Sequence, residues 1–292
     1  MNILLNPKHE LRSGWKFLMF WVLFGMMLYT LAVALRLPAV PETQLGRLTV
    51  NLIPIVPAIL TIWMMAKFVD KLPVATFGVT LHEKWPRDLA LGVGLSIAML
   101  AAVTLTNGVF GGITMTWAAT DATTQSLFVT PFVLIISAAT EELVFRGYPF
   151  QVLVKGIGTW PALLTMSTFF GLIHLSNDNA TILGAVNTIL AGVMLSIAYL
   201  KTRSLWLPYG LHVGWNIGLG FVLGYPLSGI DIDSLWTTTT GGPAWLVGSA
   251  YGPEGGLVGT LVFIAATFVI RSTTKAEISP KLQKLHYGEL KS

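Results

Sequence analysis

The chain has 292 residues, of which 53% are hydrophobic and only 11% are charged, and its mean hydropathy is +0.69. Soluble domains carry about 25% charged residues, so most of the surface of this protein does not face water. The composition excludes a disordered or coiled-coil chain, and the absence of cysteine excludes disulfides, thiolate metal sites and a cysteine nucleophile. The sequence therefore predicts a polytopic membrane protein.

Apolar segments long enough to cross a bilayer recur along the whole chain. A spanning helix needs about 20 apolar residues, and backbone exposed to lipid must form its hydrogen bonds within the helix. Such segments lie at about 15–35, 47–67, 88–106, 127–148, 160–175, 181–200, 205–223 and 255–270. We therefore predict an all-α fold, with a single membrane domain over 1–292 and about eight transmembrane helices.

Basic residues are concentrated on one side of the predicted membrane. They precede the first span, lie between the second and third, follow the fourth and sixth, and fill the C-terminal tail. The alternate segments 107–126 and 224–254 contain no Lys or Arg. Their acidic residues are Asp121, Asp231, Asp233 and Glu254. The positive-inside rule then places both termini in the cytoplasm. The net charge of +4 reflects this orientation and contact with lipid, so the lipid bilayer and not nucleic acid is the predicted partner.

The predicted outer loop 224–254 is rich in glycine, threonine and tryptophan. Tryptophan is enriched where membrane proteins meet the lipid headgroups. We therefore interpret the loop as an aromatic interfacial anchor, and a lid over a cavity is the alternative interpretation.

The fourth span contains two adjacent carboxylates and an arginine, which are Glu141, Glu142 and Arg146. An ionisable group at the centre of a membrane helix costs about 2.5–3.5 kcal/mol on insertion scales and is a functional-site candidate. Glu142 and Arg146 are four residues apart and can pair on one helix face. Glu141 points about 100° away from Glu142 and lacks that partner. Carboxyls in such different surroundings are typical of an acid/base site; the alternative is an ion-paired patch that only fixes helix packing.

Two histidines and an asparagine occur in the same apolar setting. His174 ends the fifth span, and His212 and Asn216 are four residues apart in the seventh, so they face one way. A lone membrane histidine is more often a packing residue. Here, however, the three residues and Glu141 lie on three neighbouring predicted helices. Together they supply a general base, a second titrating group and side-chain hydrogen-bond donors.

Motifs of other enzyme classes are absent from the sequence. His82 and Glu83 are followed by Lys, Trp and Pro, so the zinc-protease motif H-E-x-x-H does not occur. There is no G-x-S-x-G nucleophile elbow, no P-loop and no dinucleotide fingerprint.

Three spaced motifs carry a family resemblance. They are E-E-x-x-x-R at 141–146, F-x-x-x-H at 170–174 and H-x-x-x-N at 212–216. Each is common alone, but their order, spacing and placement on membrane helices resemble the CAAX prenyl protease and bacteriocin-processing (CPBP) intramembrane proteases, also called the abortive-infection family. The resemblance covers a core of about 126–222.

The resemblance implies a helical membrane endopeptidase with its site inside the bilayer, acting on a membrane-associated peptide or protein. It implies that Glu141 activates the attacking water with the help of His174. It further implies that His212 and Asn216 stabilise the oxyanion. The supporting residues would be Glu142, Arg146 and Phe170.

No cofactor is favoured from the sequence. Glu141, His174 and His212 are residue types that hold a catalytic zinc with an open position, which makes zinc the alternative. We favour a metal-free mechanism, because His212 and Asn216 suit an oxyanion site and E-E-x-x-x-R is unlike known zinc-binding helices.

The predicted depths of two site residues differ. With these span limits, Glu141 lies near the cytoplasmic end of its helix and His174 near the outer end of its own. A fourth helix that continues through Pro149 to about residue 155 would bring Glu141 closer to the middle of the membrane.

Three functions are compatible with the sequence, and an endopeptidase is favoured. Its substrate would be a prenylated CAAX-type protein, a bacteriocin leader or a regulatory peptide. The second function is a non-catalytic immunity or scaffolding member that binds a peptide in the same cavity. The third is a proton-coupled transporter, because intramembrane carboxylates and histidines also form proton relays. The size and short tails suggest a multi-pass protein of a bacterial inner membrane.

Overall fold

The structure is a computed structural model. The residues that it describes are 3–7, 9–36, 46, 49–119, 124–273 and 278–283. Asp121, which contributed to the comparison of loop charges, and the start of the second predicted span lie outside the described residues.

Most of the described chain is helical. The helices are α1 (Ser13–Ala34), α2 (Ile55–Met64), α3 (Trp85–Gly111), α4 (Thr124–Glu142), α5 (Tyr148–Ile157), α6 (Thr159–Ile173), α7 (Ile182–Thr202), α8 (Trp206–Asn216), α9 (Ala244–Val247), α10 (Leu257–Thr273) and α11 (Pro280–Gln283). Seven of the eight predicted spans coincide with one helix or with consecutive helical segments, and the second is helical from Ile55 onward.

Within the described residues, four helical stretches are long and apolar enough to cross a membrane. They are Ser13–Ala34, Trp85–Gly111, Thr124–Ile157 and Ile182–Thr202. The prediction of a helical integral membrane protein is confirmed at this level. The count of eight spans and the cytoplasmic location of the termini stay predictions.

Two motif-bearing helices continue directly into π-helical turns. Leu143–Gly147 follows α4, and Ile217–Val222 follows α8. Turns of this kind are frequent at functional sites. Pro149 has no backbone N–H to donate, which weakens the regular α-helical hydrogen bonding just before it. The chain nevertheless stays helical to Ile157, so the helical stretch that contains the fourth predicted span ends there and not near residue 148.

A small antiparallel sheet was not part of the all-α prediction. Strand β1 (Ile113–Trp117) pairs with β2 (Trp236–Thr240), and Trp117 lies opposite Trp236 with their ring centroids 5.1 Å apart. Threonine and tryptophan favour strands because their side chains pack well on a pleated surface. Both strands belong to loops that were predicted to lie on the same side of the membrane, and their pairing agrees with that placement.

Helices α3 and α8 approach closely because glycines line their contact. A Cβ atom at Gly210 would lie 2.3 Å from the backbone oxygen of Leu89, and one at Gly92 would lie 2.5 Å from a backbone oxygen of α8. Helix α8 carries a G-x-x-x-G motif at 210–214, which permits close approach of membrane helices. His212 lies within this motif, so the contact fixes the helix that carries it.

A buried polar cluster holds the far end of the helix that carries Glu141. Lys16 Nζ of α1 lies 2.5 Å from Asp70 Oδ1, and both side chains are buried. The Tyr148 hydroxyl donates to Asp70 Oδ2 at 2.6 Å, and the Tyr148 ring stacks on Phe20 with 5.7 Å between centroids. Tyr148 directly follows the π-helical turn, so the cluster anchors α5 to the rest of the bundle.

We expect Gly210→Ala to destabilise the protein, because the added methyl group would meet the backbone of α3. Overpacking of this kind costs about 1–3 kcal/mol. Gly94→Ala is the matched control, since a Cβ at Gly94 meets nothing within 4 Å. The midpoint of thermal unfolding in detergent should fall for Gly210→Ala only. Equal midpoints would show that α3 and α8 are not packed this closely.

Candidate active site

The ion pair predicted between Glu142 and Arg146 is present and is enclosed by the helices. Arg146 Nη1 donates to Glu142 Oε1 at 3.1 Å, and each side chain is only 1% exposed. Arg146 Nη2 donates to the backbone oxygen of Gly192 in α7 at 3.1 Å. The guanidinium also lies over the ring of Phe170, with 4.6 Å between Cζ and the ring centroid. A carboxylate, a carbonyl and an aromatic face thus compensate the buried cation.

His212 connects this ion pair to Glu141. Its Nδ1 atom lies 2.8 Å from Glu142 Oε1, and its Nε2 atom lies 3.6 Å from Glu141 Oε2. An ionised carboxylate only accepts hydrogen bonds, so Nδ1 carries a hydrogen and donates it to Glu142. The other ring nitrogen then faces Glu141. Arg146, Glu142, His212 and Glu141 form a row in which acidic and basic groups alternate.

The four predicted catalytic residues lie around one cavity of about 160 Å³. It is lined by Glu141 of α4, His174 after α6, and His212 and Asn216 of α8. Glu142 is not among its lining residues. The Glu141 side chain is 27% exposed, compared with 1% for Glu142. The two adjacent carboxylates therefore have different surroundings, as the helix geometry predicts: one is accessible from the cavity and the other is enclosed.

His174 is held in one tautomer by the backbone of its own helix. Its Nδ1 atom lies 2.6 Å from the backbone oxygen of Phe170. Because a carbonyl oxygen only accepts, Nδ1 carries the hydrogen, and Nε2 of the neutral ring is an acceptor. The Phe170 ring also packs against His174, with 4.7 Å between centroids. Phe170 thus contacts both Arg146 and His174, which suits the supporting position expected for it.

Glu141 keeps unused acceptor capacity. The Ser137 hydroxyl, one helical turn earlier, donates to Glu141 Oε1 at 3.3 Å. Glu141 Oε2 has no hydrogen-bond partner among the residues that the structure describes. This atom is itself buried, 3.6 Å from His212 Nε2, whereas the side chain as a whole is 27% exposed, so a water molecule or a substrate reaches the carboxylate at its exposed part. Ser137 was missed in the sequence, where its spacing of four residues from Glu141 was the available signal.

The side chains do not fit the zinc site considered from the sequence. Within the described ranges, no three His, Asp or Glu side chains are close enough together to hold a metal ion. Glu141, His174 and His212 line the same cavity without forming such a group. The reaction proposed below therefore uses no step through a metal.

The outer loop covers part of the cavity. The residues from it that line the cavity are Leu227, Ser228, Ile230, Ile232 and Glu254. The side chain of Trp245 is exposed, and interfacial anchoring stays a prediction for it. The same loop nevertheless forms a wall of the site, as in the lid interpretation that was less favoured. Glu254 was assigned to a loop, and no local pattern indicated that it would fold inward.

Residues 123–218 match the Rce1-like family, described as type II CAAX prenyl endopeptidase Rce1-like. The matched segment runs from α4 to α8 and contains all three motifs. No curated protein matches the chain significantly. The family match confirms the resemblance found in the motifs and supports an intramembrane endopeptidase of the CAAX type in general.

We expect Glu142→Gln to destabilise the protein far more than Glu141→Gln. Removing one partner of a buried ion pair costs about 3–5 kcal/mol, because the other charge stays buried without compensation. Arg146 would be left in that state, whereas Glu141 makes no bond to Arg146. The measurement is the thermal unfolding midpoint of each variant in detergent, with gel filtration to score aggregation. Similar losses in both variants would contradict the distinction between an enclosed and an accessible glutamate.

Proposed function

We propose that the protein is an intramembrane endopeptidase in which Glu141 activates water to hydrolyse a peptide bond of a membrane-associated substrate. The observation that carries the proposal is the convergence of four side chains on one cavity between the helices. They are Glu141, His174, His212 and Asn216. The family match covers the same helices and supports this chemistry.

Glu141 and His174 are suited to hold the attacking water. A water molecule has two hydrogens, and each of these side chains offers an unused acceptor. One hydrogen would go to the Glu141 carboxylate and the other to Nε2 of His174. Transfer of the first proton to Glu141 leaves the water oxygen free to attack the carbonyl carbon of the substrate. In this scheme Ser137 orients the carboxylate through its bond to Oε1.

His212 and Asn216 are suited to stabilise the oxyanion. They lie one turn apart on α8, so the Asn216 amide and the Nε2–H of a protonated His212 can donate to the same oxygen. Glu142 accepts the Nδ1–H of His212 and thereby fixes the orientation of the ring, with Nε2 toward the cavity side of the pair. Such donors are already oriented before charge develops, and removing one typically costs about 10²–10³ in kcat.

Collapse of the tetrahedral intermediate completes the reaction. The carbon–nitrogen bond breaks, and the proton held by Glu141 passes to the leaving nitrogen. The products are a carboxylic acid, which keeps the second hydrogen of the water, and an amine, and Glu141 returns to its ionised form. One water is consumed, so the proton count closes without another reactant.

A CAAX-type prenylated peptide is the first substrate to test, because the matched family is one of prenyl endopeptidases. Bacteriocin leaders and regulatory membrane peptides are tested beside it. The assignment to a bacterial inner membrane stays a prediction from size and short tails.

We expect Glu141→Ala and His174→Ala to lower kcat by at least about 10²–10³, because each removes a group that holds or deprotonates the water. The assay uses purified protein in lipid with fluorogenic CAAX-type peptides, with and without a prenyl group. Membrane peptidomes of cells that express wild type or Glu141→Ala extend the test to unknown substrates. Asp231→Ala is the control, since Asp231 lies on the outer loop and is not among the cavity lining.

Cleavage by Glu141→Ala at the wild-type rate would refute this mechanism. A cellular phenotype that survives Glu141→Gln would instead support a non-catalytic peptide-binding protein. Flux of protons into proteoliposomes that depends on Glu141, without peptide cleavage, would support the transporter.

We also expect a strong zinc chelator to leave the cleavage rate unchanged, because the residues around the cavity do not form a metal-binding group. The rate is compared before and after dialysis against the chelator, with a zinc peptidase as a positive control. Loss of activity that added zinc restores would overturn the metal-free mechanism.

A further inference from the structure

Glu254 is a buried acid that the mechanism above does not use. It lies in a short 3-10 turn, Pro253–Gly255, lines the cavity and is only 8% exposed. Its Oε1 atom accepts from Trp215 Nε1 at 2.8 Å. Its Oε2 atom accepts from the backbone N–H of Ser228 at 2.6 Å and from the Ser228 hydroxyl at 2.7 Å. All three contacts are donors, so a carboxylate satisfies them together.

The first contact leads to the helix that carries the oxyanion donors. Trp215 directly precedes Asn216 in α8 and lies three residues after His212. Its ring is buried and packs against Phe263 of α10, with 5.2 Å between centroids. The bond to Glu254 therefore restrains α8 beside Asn216.

The second contact leads to a tight turn in the wall of the cavity. Leu227 and Ile230 exchange backbone hydrogen bonds of 2.9 Å in both directions. The two residues between them, Ser228 and Gly229, both have left-handed backbone conformations, with φ of +48° and +86°. This geometry is that of a two-residue hairpin turn, in which glycine is favoured. Glu254 thus holds the tip of the turn 227–230.

The turn is also bonded to the segment that carries His174. Asn177, three residues after His174, donates its side-chain N–H to the backbone oxygen of Ser228 at 3.0 Å. Ser228 therefore lies between Asn177 on one side and Glu254 on the other. A continuous set of hydrogen bonds runs from the His174 segment through the turn to Trp215.

We propose that Glu254 is a positioning residue, which sets the oxyanion donors of α8 relative to the His174 side of the cavity. The inference rests on the proposed hydrolysis and adds a residue outside its three motifs. Glutamine cannot replace the acid, because it has only one acceptor oxygen. If that oxygen accepts from Trp215, the NH₂ group faces the donors of Ser228, and in the opposite orientation it faces the donor of Trp215. Misplaced oxyanion donors reduce the stabilisation of the transition state more than they reduce the binding of the substrate.

Kinetics of matched variants test this position. Glu254→Gln and Trp215→Phe should each lower kcat about tenfold with KM changed less than about twofold, since a charge-assisted bond is lost. The double variant should be no slower than either single variant, because both remove the same link. Asp233→Asn, an acid-to-amide change on the same loop and outside the cavity lining, should match wild type.

A wild-type kcat in Glu254→Gln would overturn the proposal. So would a change in KM alone, or rate losses that add in the double variant.

A second readout needs no enzymatic activity. The chain contains no cysteine, so Leu227→Cys places a single thiol in the turn, at a partly buried residue that packs against the hydrophobic core. We expect Glu254→Gln in this background to raise the rate of maleimide labelling about tenfold, because the turn opens more often. Asp233→Asn should leave that rate unchanged. An equal labelling rate in all three proteins would show that Glu254 does not hold the turn.

The two outcomes separate this inference from the proposed function. If Glu141→Ala is inactive and Glu254→Gln is fully active, only the role of Glu254 is wrong. If wild type cleaves no peptide, the proposed function fails, while labelling still reports whether Glu254 restrains the turn.

Discussion

The geometry of the site depends on the buried ion pair between Glu142 and Arg146. An arginine enclosed by membrane helices is tolerated only when its charge is compensated. The compensation comes from Glu142 one turn earlier and from the backbone oxygen of Gly192, which joins α4 to α7. The same carboxylate oxygen accepts from His212 and so joins α8. Successive residues of a helix point about 100° apart, so Glu141 points away from this ion pair and lines the cavity.

The π-helical turn after Glu142 has a further effect on this arrangement. Arg146 is part of this turn, and the chain continues beyond it as a helix to Ile157. A helix of this length is the condition under which Glu141 was predicted to lie closer to the middle of the membrane, and the relative depths of Glu141 and His174 stay a prediction. Tyr148, at the start of α5, is bonded to Asp70, so the helix that carries Glu141 is restrained beyond the turn as well.

The parts of the structure that could be predicted from the sequence are those encoded locally. Apolar length predicts the helices, and the spacing of four residues predicts both the Glu142–Arg146 pair and the shared face of His212 and Asn216. The pairing of β1 with β2 joins segments that are more than one hundred residues apart in the chain, and no periodicity in either segment predicts it. Glu254 follows a glycine and a proline in a polar loop, a context typical of exposed residues. Its burial depends on bonds to Trp215 and Ser228, which only the folded chain brings near.

The alternation of charges around His212 has a consequence for an energised membrane. The potential across a bilayer acts on net charge, at about 2.3 kcal/mol per elementary charge for each 100 mV. With His212 protonated, the two cations and two anions of the row sum to zero, so the field exerts no net force on the cluster. In the proposed hydrolysis, the proton that Glu141 takes and returns would move only within the cavity. Under that mechanism, the membrane potential would act on peptide cleavage only through these short displacements of charge and not through transfer of a charge across the bilayer.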